Sequence, residues 1–257
     1  MRKQKKIQIL ISSLAFVLYF TGGTPAVKAQ KITTESIAYH EGLKDVRGFL
    51  ARPDDGKKHP GMILIHEWWG LNDNIKENAR QFAKLGYVAL AVDLYEGKVA
   101  TNRKEARKYA GGVRKNKGPA FENLKQAVSY LKKSGSVNPQ RLASVGWCFG
   151  GGWSYQMAKN DLGVKATVIY YGRFNPKDDL SKMRATIIGH FGDKDRGIKV
   201  DNVREFQVKL KTLNGDHEVY IYPNSGHGFA NPGGKRYNKE STEKAWERTT
   251  VFLKKYL

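Results

Sequence analysis

The stretch Gly146-Trp147-Cys148-Phe149-Gly150-Gly151-Gly152 is the strongest indication of fold in this chain. The run 141–145 before it predicts a β-strand, and the residues after it predict a helix. A Gly-x-Cys-x-Gly turn between a strand and a helix is the pattern of a nucleophile elbow, with cysteine where serine usually stands. The helix N-terminus favours a thiolate at this turn. Cys148 is therefore a candidate nucleophile.

Cys148 is the only cysteine of the chain. A single cysteine cannot form an internal disulfide, so it is a buried structural residue, an intermolecular partner or a reactive thiol. The glycine-rich turn favours the reactive thiol, and a buried inert cysteine is the alternative.

Residues 1–29 have the pattern of a secretory signal peptide. Arg2, Lys3, Lys5 and Lys6 form a positive segment, an apolar run covers 7–20, and Ala26-Val27-Lys28-Ala29 offers a cleavage site after Ala29. A membrane span needs about 20 apolar residues, and this run is shorter. We expect an exported protein, periplasmic or extracellular. An uncleaved N-terminal membrane anchor is the alternative.

The composition indicates one globular domain over 30–257, since 40% of the residues are hydrophobic and 27% are charged. The formal net charge is +21, and removal of 1–29 takes away five Lys and Arg to leave +16. Such a surface attracts anionic polymers or lipids nonspecifically. Lys and Arg are spread along the chain with no recognisable nucleic-acid module, and neither a metal-ligand cluster nor a nucleotide loop is apparent. We expect no specific nucleic-acid partner, no metal and no cofactor.

Strand-like and helical segments alternate along the chain. This alternation predicts an α/β fold with a mostly parallel sheet and helices on both faces, in which functional loops follow the carboxyl ends of strands. The predicted strands are 32–40, 46–51, 61–66, 87–92, 141–145, 164–171, 185–191 and 218–222. The predicted helices are 73–85, 102–115, 120–133, about ten residues after the elbow, 198–213 and 240–256.

A thiol nucleophile needs a base, and the base needs a carboxylate to orient it. His227 lies in a loop just after the last predicted strand, whereas His190 lies inside a strand, so His227 is the candidate base. Asp195 is the preferred carboxylate, with Asp193 as the alternative. The order nucleophile, acid, base is that of the α/β-hydrolases.

Oxyanion stabilisation should come from two backbone N–H groups, one on Phe149 and one on the loop after the 61–66 strand, where Trp68 is the candidate. Glu67 precedes Trp68. A carboxylate at a buried strand end is costly without a partner, so Glu67 either faces the thiol or forms an ion pair with a nearby Arg or Lys.

These motifs resemble the dienelactone hydrolase family. The resemblance covers about 32–257 and rests on His-Glu-Trp-Trp-Gly-Leu-Asn at 66–72, Ala-Val-Asp-Leu-Tyr at 91–95, Gly-Trp-Cys-Phe-Gly-Gly at 146–151, Gly-Asp-Lys-Asp at 192–195 and Gly-His-Gly-Phe at 226–229. It implies a Cys148-Asp195-His227 triad. It also implies that Glu67 contacts the resting thiol until substrate binds.

One position departs from the family. Members that cleave dienelactone hold the substrate carboxylate with arginines, one of them four residues after the catalytic histidine, and this chain has Asn231 there. The expected function is an exported cysteine hydrolase of small esters or lactones. A binding protein for anionic envelope polymer and an acyl-transferring enzyme are the alternatives.

Overall fold

A computed structural model describes residues 30–42 and 46–257 of the chain. The predicted signal peptide, 1–29, lies outside the described residues. Among the residues described, no helix combines the length and the apolar character needed to cross a membrane.

The centre of the fold is one eight-stranded sheet in the order β1-β2-β4-β3-β5-β6-β7-β8. The first two strands form the predicted hairpin, and β2 is also antiparallel to β4, whereas β3 to β8 are parallel. The mostly parallel sheet of the α/β prediction is confirmed. The strands are β1 Ile32–Ala38, β2 Arg47–Pro53, β3 His59–Ile65, β4 Val88–Val92, β5 Val137–Trp147, β6 Ala166–Tyr170, β7 Thr186–Gly192 and β8 Glu218–Tyr222.

Six helices cover both faces of the sheet, because alternate residues of the buried strands point to opposite sides. In β3, Ile63 and Ile65 join the core beneath α2 to α5, whereas Met62 and Leu64 join the core beneath α1 and α6. The helices are α1 Asp73–Lys84, α2 Arg103–Lys115, α3 Gly118–Lys133, α4 Phe149–Lys159, α5 Val200–Lys211 and α6 Lys239–Tyr256.

The main difference from the predicted elements is in β5, which begins at Val137 rather than at residue 141. Val137 pairs with His59, and Leu142 then pairs with Gly61, so the two strands slip out of register between these pairs. Pro139 lies in the irregular segment, where the loss of its N–H is tolerated. Residues 138–140, Asn-Pro-Gln, do not resemble a buried strand, which is why the predicted strand begins only at residue 141.

The order of the strands determines where the candidate active site lies. After β3 the chain crosses to β4 on one side, and β5 then pairs on the other side of β3. The direction of winding therefore reverses at β3 and β5, and a crevice opens beyond their carboxyl ends. The loop that begins at His66 and the turn at Cys148 meet in this crevice.

Candidate active site

The turn after β5 holds Cys148 in a backbone conformation with φ +55° and ψ −111°. Residues other than glycine rarely adopt a positive φ, so the surrounding structure has to hold Cys148 in this conformation. A Cβ on Gly146 would lie 2.1 Å from the Gly150 carbonyl oxygen, and a Cβ on Gly150 would lie 2.1 Å from the Ile65 carbonyl oxygen. Only glycine fits at both positions, and β3, the elbow and α4 pack directly on one another.

His227 lies between the thiol and a carboxylate. Its Nε2 is 2.9 Å from Cys148 Sγ, and its Nδ1 is 2.7 Å from Asp195 Oδ2. The three residues come from the loops after β5, β7 and β8, so the fold brings together groups that are far apart in the sequence. This arrangement can move a proton between sulfur and imidazole while the carboxylate fixes the ring.

Both carboxylate oxygens of Asp195 have hydrogen-bond partners. Its Oδ1 accepts the backbone N–H groups of Gly197 at 2.7 Å and Ile198 at 3.1 Å, while Oδ2 faces His227. Burial by itself would raise the pKa of Asp195, but the His227 contact and the two backbone donors outweigh burial and lower it. The carboxylate is therefore ionised at neutral pH.

Asp193 forms a hydrogen bond to the loop after β8 rather than to the His227 ring. Its Oδ1 accepts the backbone N–H of Ser225 at 3.2 Å, and the Lys194 N–H donates to the Ser225 carbonyl at 2.9 Å. These bonds tie the loop after β7 to the loop after β8, which carries His227. Of the two candidate carboxylates, Asp195 is the one that contacts the imidazole.

The His227 imidazole is strongly perturbed. Burial alone would lower its pKa, but the contacts with Asp195 and Cys148 outweigh burial and raise the pKa to about 10. The Tyr171 ring packs edge-on against it with the ring centroids 5.3 Å apart. At neutral pH the ring is therefore an imidazolium between two groups that can carry negative charge.

Phe149 and Trp68, the two candidate oxyanion donors, lie in the same cleft as Cys148. Phe149 is the first residue of α4, where N–H groups have no partner within the helix. In the described part of the chain, neither N–H donates to a protein acceptor. Both residues line the cleft that holds Cys148.

His66 fixes the loop that carries Trp68. Its Nδ1–H donates to the Glu67 carbonyl at 2.6 Å, and its Nε2 accepts the Leu94 N–H at 3.2 Å. Complete burial lowers the pKa of His66 and keeps it neutral, as this donor-acceptor pattern requires. Sequence reasoning did not assign this role, although His66 follows a strand end directly.

Glu67 is buried, and its hydrogen-bond partners are a tyrosine and an asparagine. Tyr171 Oη donates to Oε1 at 3.5 Å, and Asn231 Nδ2 donates to Oε2 at 2.5 Å. Among the described residues, its hydrogen bonds include none to Cys148 and it has no Lys or Arg partner. Burial raises the pKa of Glu67, and Asn231, His227 and Tyr171 offset part of that rise.

A wide cleft of about 2270 Å³ leads from the surface to Cys148. Six arginines and three lysines line it, against four carboxylates, of which Glu67 and Asp195 are already engaged. The cleft is therefore positively charged. The residues described contain no group of three or more His, Cys, Asp or Glu side chains that could hold a metal ion.

The family model of the dienelactone hydrolase family matches residues 46–257. The chain belongs to the dienelactone hydrolase family. It is a carboxylic ester or lactone hydrolase with the α/β-hydrolase fold, as the elbow and the strand order predict.

Similar proteins cover nearly the whole domain. A protein of Saccharolobus solfataricus named "Putative carboxymethylenebutenolidase" is 30% identical over 86% of this chain and 98% of its own length. Protein usf of Aquifex pyrophilus is 34% identical over 82% of this chain and 94% of its own. The solved structure of P91, a dienelactone hydrolase-like promiscuous phosphotriesterase from metagenomic libraries, superposes with a TM-score of 0.78 at 21% identity, over 88% of this chain and 98% of that one.

Two residues of the site escaped the sequence analysis. Tyr171 follows β6 directly and contacts both Glu67 and His227. Its place at a strand end was a usable signal. Asn231 stood out only as a missing arginine, and nothing in its local sequence indicates a contact with Glu67, 164 residues away.

Proposed function

We propose that this protein is an exported hydrolase that cleaves esters or lactones through a thioester on Cys148. The observation that carries the proposal is the contact of one imidazole, His227, with Cys148 Sγ at 2.9 Å and with Asp195 Oδ2 at 2.7 Å. Nucleophile, base and orienting carboxylate are each within hydrogen-bonding distance of the next.

In the first half of the reaction, Cys148 Sγ attacks the carbonyl carbon. The Phe149 and Trp68 N–H groups stabilise the negative charge that develops on the carbonyl oxygen. The carbon–oxygen bond to the leaving alcohol then breaks, and His227 Nε2 gives its proton to the departing alkoxide. A thioester remains on Cys148, and for a lactone the alcohol stays on the same acyl chain.

In the second half, neutral His227 removes a proton from water as the water attacks the thioester. The tetrahedral intermediate collapses to the carboxylic acid and regenerates the thiolate beside the imidazolium. Asp195 keeps Nδ1 protonated in both halves, so that Nε2 is always the nitrogen that exchanges the proton.

The contacts of Glu67 support a resting thiol that is held by His227. Asn231 and Tyr171 hold the Glu67 carboxylate, and the thiol faces His227. The resemblance to the family implies a resting thiol held by this glutamate. In this chain we propose instead that the Cys148–His227 contact is the resting state.

The test is hydrolysis of p-nitrophenyl acetate and of a small lactone by the wild-type protein and by Cys148→Ala. We expect Cys148→Ala to lose about a thousandfold or more in kcat/KM. Mass spectrometry of the wild-type protein quenched during turnover should show an acetyl adduct on Cys148. Equal turnover by both proteins would refute the mechanism. His227→Asn, which removes the proposed base, should lose activity as well, and His40→Asn, a histidine change outside the cleft, is its matched control.

Export is proposed from the first 29 residues alone. A positive segment, an apolar run and small residues before Gln30 support cleavage after Ala29. N-terminal sequencing of the protein recovered from the cell exterior or envelope should begin at Gln30. Recovery of the intact Met1 terminus in the membrane fraction would favour the membrane-anchored alternative.

A further inference from the structure

The arginines and the lysines of helix α2 lie on different faces of the helix. Its sequence pairs Arg103, Arg107 and Arg114 each with a lysine that follows it directly. At about 100° per residue, the three arginines lie within about 40° of one another around the helix, and the lysines lie about 100–140° from Arg103. All three arginines line the cleft. The lysines, Lys104, Lys108 and Lys115, do not.

The same difference holds across the described residues, 30–42 and 46–257. Six of the 13 arginines in these ranges line the cleft, but only three of the 26 lysines do. The arginine ion pairs in the described residues are Arg52 with Glu35 and Arg80 with Glu77, and both lie outside the cleft. The cleft arginines are exposed and have no carboxylate partner there. Arginine binds carboxylate and phosphate in a bidentate manner, so this enrichment is not explained by a generally basic surface.

The arginine row reaches the reaction centre at one end. The Arg114 guanidinium carbon lies 5.6 Å from the centre of the Phe149 ring, and the Phe149 N–H faces the substrate carbonyl in the proposed mechanism. From Arg103 to Arg114 the row extends about 16 Å along the helix. Arg173, Arg196 and Arg236 line the same cleft, so its positive charge is not confined to α2.

The size of the cleft argues against a small substrate alone. Pockets for small molecules have volumes of about 300–1,000 Å³, and this cleft is about 2270 Å³. One carboxylate occupies one or two guanidinium groups, which leaves most of a row of about 16 Å without a ligand.

We propose that the substrate is an ester carried on an anionic chain, with carboxylate or phosphate groups spaced along it. The arginines of α2 hold successive anions of the chain, and the ester lies between the Phe149 N–H and Cys148. This inference rests on the proposed function, because the ester must reach the Cys148 thiolate. Nucleic acids lack a carboxylic ester and are not the expected ligand.

The test measures binding separately from catalysis. Fluorescein-labelled oligogalacturonate supplies carboxylates, labelled polyphosphate supplies phosphates, and labelled single-stranded DNA is the comparison. Anisotropy titrations use the chain from Gln30 onward. Three proteins are compared: the wild type, the triple variant R103Q/R107Q/R114Q and its matched control K104Q/K108Q/K115Q. Both triple variants remove three positive charges from one helix, and circular dichroism with thermal melts checks that each is folded.

We expect oligogalacturonate or polyphosphate to bind the wild-type protein, and the arginine variant to weaken that binding at least about tenfold. The lysine variant should change it less than about threefold. Equal losses in both variants would show that overall charge is responsible and would overturn the proposal. Absent binding of both polymers, or arginine-dependent binding of DNA alone, would overturn it too. The polymer with the greater arginine dependence identifies the anion.

The two proposals can fail separately. Hydrolysis of neutral p-nitrophenyl acetate by the wild-type protein and Cys148→Ala tests the chemistry, whereas anisotropy tests the arginine row without turnover. If the arginine row fails and ester hydrolysis remains, the cysteine mechanism stands without the polymer substrate. If polymer binding remains and hydrolysis is absent, the proposed function fails.

Discussion

Asn231 donates a hydrogen bond to Glu67 Oε2 at the position where the dienelactone-cleaving pattern has an arginine. Its amide is neutral, so the buried carboxylate receives a donor without a compensating positive charge. Tyr171 holds the other carboxylate oxygen. Both oxygens of Glu67 thus have hydrogen-bond donors of their own, and the hydrogen-bond partner of the thiol is His227.

Removal of the Asn231 amide should lower the reactivity of the Cys148 thiol. In Asn231→Ala, Glu67 loses a donor worth about 1.5–3 kcal/mol and is free to turn toward Cys148. We expect alkylation of Cys148 by iodoacetamide at neutral pH to slow about tenfold, with a parallel fall in kcat. Asn74→Ala, which changes an asparagine of the same cleft, is the control. An unchanged alkylation rate in Asn231→Ala would show that Asn231 does not govern the thiol.

The two neighbouring aspartates should differ sharply in their effect on turnover. In Asp195→Asn the remaining oxygen stays with the Gly197 and Ile198 N–H groups, so an NH2 group faces His227 Nδ1 and favours the wrong tautomer. We therefore expect kcat to fall about a thousandfold or more. Asp193→Asn leaves an oxygen that can still accept the Ser225 N–H and should keep kcat within about fivefold. Steady-state hydrolysis of p-nitrophenyl acetate by both variants measures the contrast. The reverse order would make Asp193 the orienting carboxylate.

The stability of the fold should depend on pH through His227. The contacts with Asp195 and Cys148 raise its pKa from 6.5 in the unfolded chain to about 10 in the folded one. A raised pKa stabilises the protein fully below pH 6.5, and the stabilisation is lost as the pH rises to about 10. Urea unfolding should show the difference between wild type and His227→Gln shrinking across this interval. A difference that stays constant or grows with pH would refute the ion pair.

Two glycine-to-alanine substitutions should change the stability of the fold in opposite directions. In Gly150→Ala the new methyl group would lie 2.1 Å from the Ile65 carbonyl oxygen, so we expect a loss of several kcal/mol or failure to fold. In Gly111→Ala the new methyl group meets nothing within 4 Å and replaces glycine inside α2, so we expect a gain of about 0.5–1 kcal/mol. Thermal melts of both variants provide the comparison. A stable, active Gly150→Ala protein would contradict the close packing of the elbow.

The sequence predicts the fold because most of its elements have a local signature. Buried strands such as β4 are continuous apolar runs, and the glycines around Cys148 show where the backbone has to pack closely. The contacts of Asp195 and His227 also follow from strand ends, since parallel strands bring their carboxyl ends to one edge.

The partners of Glu67 and the orientation of the α2 arginines have no comparable local signature. Whether a buried glutamate meets a thiol, a cation or an amide depends on which side chain a distant loop brings to it, and for Glu67 that residue is Asn231. The composition shows a chain that is basic throughout, and only the folded structure shows that, in the part of the chain that it describes, the cleft is enriched in arginine over lysine.

The single cysteine of the chain also determines how the site responds to oxidants. Peroxide would convert the thiolate of the proposed mechanism to a sulfenic acid, and this chain contains no second thiol that could condense with it to form a protective disulfide. Recovery of activity after oxidation therefore requires a thiol from another molecule. Without one, further oxidation to the sulfinic acid would inactivate the enzyme irreversibly.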